Sequence, residues 1–203
     1  MNSNSVQVID QNKKAGEKEN PRNYEVINFG RYMQDKYGKE LTSLSWRVLE
    51  KRGELTLLVT EKVIDVIKFS ALDKNVWVTS DLRKWLNTEF MDCAFNDSEK
   101  AEICESPTGE KVFLLSIEDY EKYFTNSADA RTVYTDYSKR KACAHGNPAY
   151  AFWWLRTANR IGGWGNGGGV YVFHVCANGK INPFERGQYE DGVRPAIWVK
   201  SKK

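Results

Sequence analysis

Gly163, Gly165 and Gly168, followed by Val170, satisfy the GxGxxG spacing and its longer form GxGxxGxV. A loop of this kind binds phosphate only when its backbone N–H groups open a helix or cover a complete kinase core. Here the glycines run into Val-Tyr-Val-Phe-His-Val at 170–175, which alternates as a strand does. No Gly-Lys-Ser/Thr follows, so the P-loop is excluded as well. Only 33 residues come after Val170, too few for a kinase catalytic lobe. The six glycines between Gly162 and Gly169 therefore read as a turn that needs positive φ or close backbone approach. A wide hairpin with Trp164 at its tip is the expected shape.

Other chemistry rests on the thiols and the two histidines. His174 and Cys176 share one strand face, and Cys143 and His145 would do the same if their stretch is extended. Two such pairs have the composition of a zinc tetrahedron, although the spacing is not a familiar one. With Cys93 and Cys104 they form no CxxC pair, so reduced, mostly buried thiols are the plainer expectation and no cofactor is assigned. No GxSxG nucleophile elbow is present. Arg156 and Arg194 sit beside aromatic strand residues, which suits partly buried guanidinium groups paired with a carboxylate or with backbone carbonyls. An anion pocket is the alternative there. Trp164 has no hydrophobic neighbours in sequence and is the best single pointer to binding.

The elements that must position these residues follow from periodicity. Trp46, Val48, Leu55, Leu57 and Val59 alternate with mostly polar neighbours around a turn at 51–54, the pattern of a half-buried hairpin. A helix is expected over 80–95, capped by Thr79 or Ser80, with Leu82, Trp85, Leu86 and Phe90 as its apolar stripe. A short helical turn fits 96–103. The stretch from Lys111 to Phe124 reads as a strand entering a second helix. Ser116 and Asp119 have capping-box spacing there, and Ile117, Tyr120 and Phe124 line one face. From Ser127 to Ala149 no period is visible, and a long surface loop is expected. The last fifty residues read as strands and glycine turns. Trp46, Trp85, Trp153 and Trp198 are assigned to the core. Early strands, central helices and late strands make an α+β arrangement.

With 203 residues and 41% hydrophobic content the chain can bury one core. Its net charge of +3 comes from 30 basic and 27 acidic residues scattered along it, which gives no concentrated basic face for nucleic acid. No apolar run is long enough for a signal peptide or a membrane span, so a cytoplasmic protein with no membrane partner is expected. Residues 1–22 carry few bulky apolar groups and read as a flexible leader to a single domain over 23–203.

Seven blocks carry a resemblance: INFGRYMQ, LSWRVLE, LLVTEKVID, SDLRKWLNTEF, KVFLLSIEDYEKYF, AFWWLRTA and DGVRPAIWV. In order and spacing they resemble a bacterial family of uncharacterised domains with a C-type-lectin-like fold, over about residues 24–200. The resemblance implies twisted antiparallel strands, two main helices and long irregular loops. Wider relatives of that fold include calcium lectins, formylglycine-generating enzymes and the variable proteins of diversity-generating retroelements. The stretches GWGN and NPFE do not supply the clustered carboxylates of a calcium lectin. No block around Cys143 or Cys176 matches the reactive cysteine pair of formylglycine generation, so no catalytic residue is carried over. The segment between WWLR and GVRP lies where retroelement-diversified proteins vary.

Taken together, these readings imply a non-catalytic recognition domain for a protein or glycan ligand, with a retroelement variable protein as its specific form. A metal- or cysteine-dependent oxidase is the alternative. The expected ligand-binding residues are Asn159, Arg160, Trp164, Asn166, Tyr171, Phe184, Arg186 and Tyr189. All lie in loops or strand ends, and their types suit adaptable contact surfaces.

Overall fold

The computed structural model describes residues 22–71, 75–142, 149–160 and 170–201. All of the expected 1–22 leader but Arg22, the glycine turn with Trp164 and Asn166, and the Cys143–His145 stretch lie outside the described residues.

The expected hairpin forms from β2 (Leu41–Arg52) and β3 (Leu55–Thr60), with Val48 opposite Leu58 and Trp46 opposite Thr60. β1 (Val26–Met33) pairs with the far edge of β2. Its register shifts between Asn28 and Arg31, and Gly30 in that bulge takes φ +66. A Cβ at Gly30 would lie 2.5 Å from the Phe95 ring, so the bulge accepts only glycine without displacement. β11 (Ala196–Lys200) closes on the other side of β3, and β5 (Ile103–Cys104) and β6 (Val112–Phe113) share its outer edge. A central position explains why β3 is buried on both faces: Thr56, Leu57, Leu58, Val59 and Thr60 are all inside. The half-buried hairpin expected from its alternation is corrected for this strand.

Ser80 caps helix α1 (Asp81–Trp85), its hydroxyl accepting the Arg83 N–H at 3.1 Å. The helix widens into a π-turn over Leu86–Phe90 and finishes as α2 (Met91–Ala94). Leu82, Leu86 and Phe90 are buried, whereas Trp85 is half-buried against the rings of Tyr32 and Phe90. Its assignment to the core is therefore corrected to the margin. Asn87, inside the π-turn, donates to the Val112 carbonyl at 2.8 Å and accepts the Lys111 and Val112 N–H groups at 3.1 and 3.0 Å. One side chain thus holds β6 to the helix. Capping boxes start α3 (Asp97–Glu102) and α4 (Ile117–Tyr123), the latter on Ser116 and Asp119 as expected.

The surface loop expected from Ser127 is not what forms. α5 (Ser127–Ala130) and α6 (Asp136–Lys141) occupy the stretch, and Asp129, Thr132, Thr135 and Ser138 are buried. Two of their hydroxyls bond to backbone distant in sequence: Ser138 donates to the Val63 carbonyl at 2.7 Å, and Thr132 to the Glu61 carbonyl at 2.5 Å. The described fold is α+β, with antiparallel pairing between all its named strands.

Candidate functional site

The C-terminal half builds a second sheet from β7 (Trp153–Arg160), β8 (Val170–Val175) and β9 (Ile181–Glu185). Beside it β4 (Asp65–Lys68) pairs with β10 (Glu190–Val193). Trp153, Trp154 and Leu155 are all buried, so β7 enters the core with both faces covered. The Trp154 indole N–H donates to the Ile67 carbonyl at 2.9 Å and fastens β7 to β4.

Two arginines lock this sheet to the first. Arg156 donates to the Leu114 carbonyl at 2.7 Å and pairs with Asp119 at 3.0 Å, the partly buried pairing expected of it. Arg194 differs: it is fully buried rather than partly, and its Nε donates to the Thr60 carbonyl at 2.8 Å. Its guanidinium lies over the rings of Trp153 and Phe124, at 5.0 and 5.7 Å from their centroids. Among the described residues Nη1 and Nη2 have no hydrogen-bond partner. Burial, reinforced by the charge of Arg47, pulls its pKa well below the usual arginine value.

Of the expected ligand-binding residues, four can be placed in full. Asn159 pairs across the ladder with Tyr171, and both are half-buried. The Asn159 amide spans β8 to donate to the Pro183 carbonyl at 3.1 Å, so it braces the sheet end. Val172 faces Glu185, which brings the turn after β9 to the same end. That turn is closed by Tyr189 N–H donating to the Arg186 carbonyl at 2.9 Å. Arg186 is exposed and Tyr189 is 52% exposed. Arg160 and Phe184 belong to β7 and β9 by backbone, while their side chains, with Trp164 and Asn166, lie outside the described residues.

The other face of β8 holds a cluster that sequence reading found only in part. His174 is 4% exposed, and its Nδ1 meets Asp191 Oδ2 at 2.6 Å. Cys176, two residues along the same face, places its Sγ 3.7 Å from Nε2. The Phe152 ring stacks on the imidazole at 5.9 Å, and Glu185 lies 3.9 Å from Nδ1. Burial alone would pull the His174 pKa down; the hydrogen bond with Asp191 and the contact with Cys176 outweigh it and raise the value to about 10. At neutral pH the ring is an imidazolium with a hydrogen on each nitrogen. Asp191 escapes sequence reading because it lies 17 positions away on a different sheet. Its strand reads Glu-Asp-Gly-Val, and two adjacent acids give no sign of which one turns inward.

The shared face expected for His174 and Cys176 forms, but their suggested partners Cys143 and His145 lie outside the described residues. Among the described residues no group of three His, Cys, Asp or Glu side chains is placed to hold a metal ion. Cys93, Cys104 and Cys176 are free thiols and half-buried, not buried as expected. No helix among the described residues is long and apolar enough to cross a membrane. No curated protein and no solved structure matches the chain. Residues 53–201 match the model of DUF6273, a domain of unknown function, and with that span covering most of its length the chain belongs to this family.

Proposed function

We propose that this protein is a recognition domain that binds a protein or glycan ligand at the end of the β7–β8–β9 sheet. The observation that carries the reading is the Arg186–Tyr189 turn, where an exposed tyrosine and an exposed arginine stand on a strand end. Behind them, Ser70 N–H donates to the Gly187 carbonyl at 3.0 Å and buried Phe69 and Asn75 close on Gly187, which gives the turn a rigid base. Such a base presents side chains without an ordering cost at the moment of binding. Tyr and Arg are also the types that carry most contact energy, since each buries large area and keeps a polar tip. The succession of early strands, central helices and late strands is in keeping with a C-type-lectin-like scaffold.

The test is a glycan array and a protein pull-down, followed by alanine substitution. Tyr189→Ala and Arg186→Ala should each weaken the captured ligand by about ten-fold or more, the effect of an anchor worth ~1.4 kcal/mol. Both should melt with the parent. Tyr37→Ala, at a residue 67% exposed on the β1–β2 connection, should leave binding unchanged. Equal losses from all three would remove this surface from consideration.

A further inference from the structure

The turn between β8 and β9 is held from several sides. Cys176 N–H donates to the Lys180 carbonyl at 2.8 Å, and Gly179 N–H returns to the Cys176 carbonyl at 2.8 Å. Gly179 takes φ +83, and a Cβ there would collide with the Ser127 carbonyl oxygen. The Tyr120 hydroxyl donates to the Gly179 carbonyl at 2.5 Å. Cys176 therefore sits on a fixed corner, a half-buried residue whose sulfur lies 3.7 Å from the His174 Nε2. The order of groups is thiol, imidazole, carboxylate, with each later group fixing the one before.

Among the described residues the charged and titratable groups facing the imidazole are Asp191 from β10, Glu185 from β9 and Cys176 itself. Phe152 and Trp154, the rings packed against it, are uncharged. Both carboxylates lie on the Nδ1 side, so the proton on Nε2 is directed at sulfur. A half-buried thiol set beside an imidazolium is the microenvironment of reactive cysteines.

We propose that Cys176 is a reactive thiol that forms a reversible mixed disulfide with small anionic disulfides, with His174 and Asp191 as its positioning residues. Acyl transfer would need N–H donors for an oxyanion, and the Cys176 N–H is already given to Lys180. Thiol–disulfide exchange needs no oxyanion. Its anionic preference comes from exposed Lys180 and from Arg131, whose Nε donates to the Asn178 carbonyl at 3.2 Å on the same turn. In the exchange the Cys176 sulfur, its proton released to solvent, attacks one sulfur of RSSR. A new S–S bond forms, the old one breaks, and RS⁻ leaves and takes a proton from solvent. Protein–SH and RSSR become protein–SSR and RSH.

The experiment uses the full chain, reduced and desalted, with oxidised glutathione as the probe at pH 7, followed by peptide mapping over time. Cys176 should be modified about ten-fold faster than Cys93 or Cys104, which are also half-buried. In concentrated urea the difference should vanish, and dithiothreitol should reverse the modification. His174→Gln should bring Cys176 down to the rate of the other two while the Cys104 rate stays unchanged, which also reports that the variant is folded. Lys180→Glu should slow the reaction with oxidised glutathione but not with neutral hydroxyethyl disulfide. If Cys176 in the parent protein reacts no faster than Cys93 and Cys104, the proposal is wrong, whatever the variants do. A fast Cys176 that His174→Gln leaves fast would remove the imidazole from it.

Discussion

Replacing Asn87 with alanine should detach β6 from the helix it rests on. The side chain makes three bonds across to the strand, at 2.8 Å to the Val112 carbonyl and at 3.1 and 3.0 Å from the Lys111 and Val112 N–H groups. At ~1 kcal/mol net for each bond the sum is about 3 kcal/mol. Asn87 is half-buried, so water recovers part of this, and a loss of about 2–3 kcal/mol is expected. Urea unfolding measures it as a lower midpoint at an unchanged slope. Hydrogen exchange then places it, with the Val112 amide losing protection before the β2–β3 ladder does. Asn87→Asp is the sharper control. It keeps the acceptor for both N–H groups but turns an oxygen toward the Val112 carbonyl, so it should not restore the parent midpoint. A loss below about 0.5 kcal/mol, the scale of an ordinary surface change, would refute the clamp. So would unchanged protection at Val112.

The His174–Asp191 pair makes stability depend on pH in a defined direction. With the pKa raised from 6.5 to about 10, the folded chain keeps a proton that the unfolded chain has released. That contribution is complete below pH 6.5 and is lost as pH rises to 10. Chemical unfolding between pH 7 and 8, below the range where ordinary thiols and phenols ionise, should show a fall of roughly 1.4 kcal/mol per pH unit. Asp191→Asn should flatten it, and an equally steep fall in that variant would discard the pairing. Trp153→Ala should cost ~3–5 kcal/mol, because a fully buried indole leaves a cavity. Trp85→Ala, at a half-buried site, should cost clearly less, and equal melting losses would contradict the burial assigned to them.

The hairpin of β2 and β3 is legible because Trp46, Leu57 and Val59 impose a period of two, and the second capping box because Ser116 and Asp119 act within one turn. The buried stretch from Ser127 to Ala142 is not. Its polar interior positions are Asp129, Thr132, Thr135 and Ser138: Thr132 and Ser138 donate to backbone carbonyls, Asp129 and Thr135 accept N–H groups, and among them small alanines leave no hydrophobic period to read. Trp85 is misplaced by periodicity for a related reason. Leu82, Leu86 and Phe90 share the covered face as an i, i+4 series, and the indole lies to one side of it. At the candidate site, types and spacing lead to His174 and Cys176 on one face but not to Asp191, since pairing between separate sheets has no local signature. Arg194 is recognisable as a strand-locking residue, while its complete burial depends on the Trp153 and Phe124 rings that arrive from two other elements.

The place of β11 bears on how the chain reaches its fold. This strand is inserted between β3 on one side and β5 and β6 on the other, yet it follows all three in sequence. On the ribosome β3 emerges well over a hundred residues before its partner, with the whole β7–β10 segment still to be made. Until then one edge of β3, a run of Leu, Val and Thr, presents unpaired N–H and C=O groups. Such an interval invites pairing between nascent chains, and the long sequence separation slows the closure that would end it. A chain arrested after residue 195 should therefore be a chaperone client and aggregate, whereas one released after residue 201 should fold.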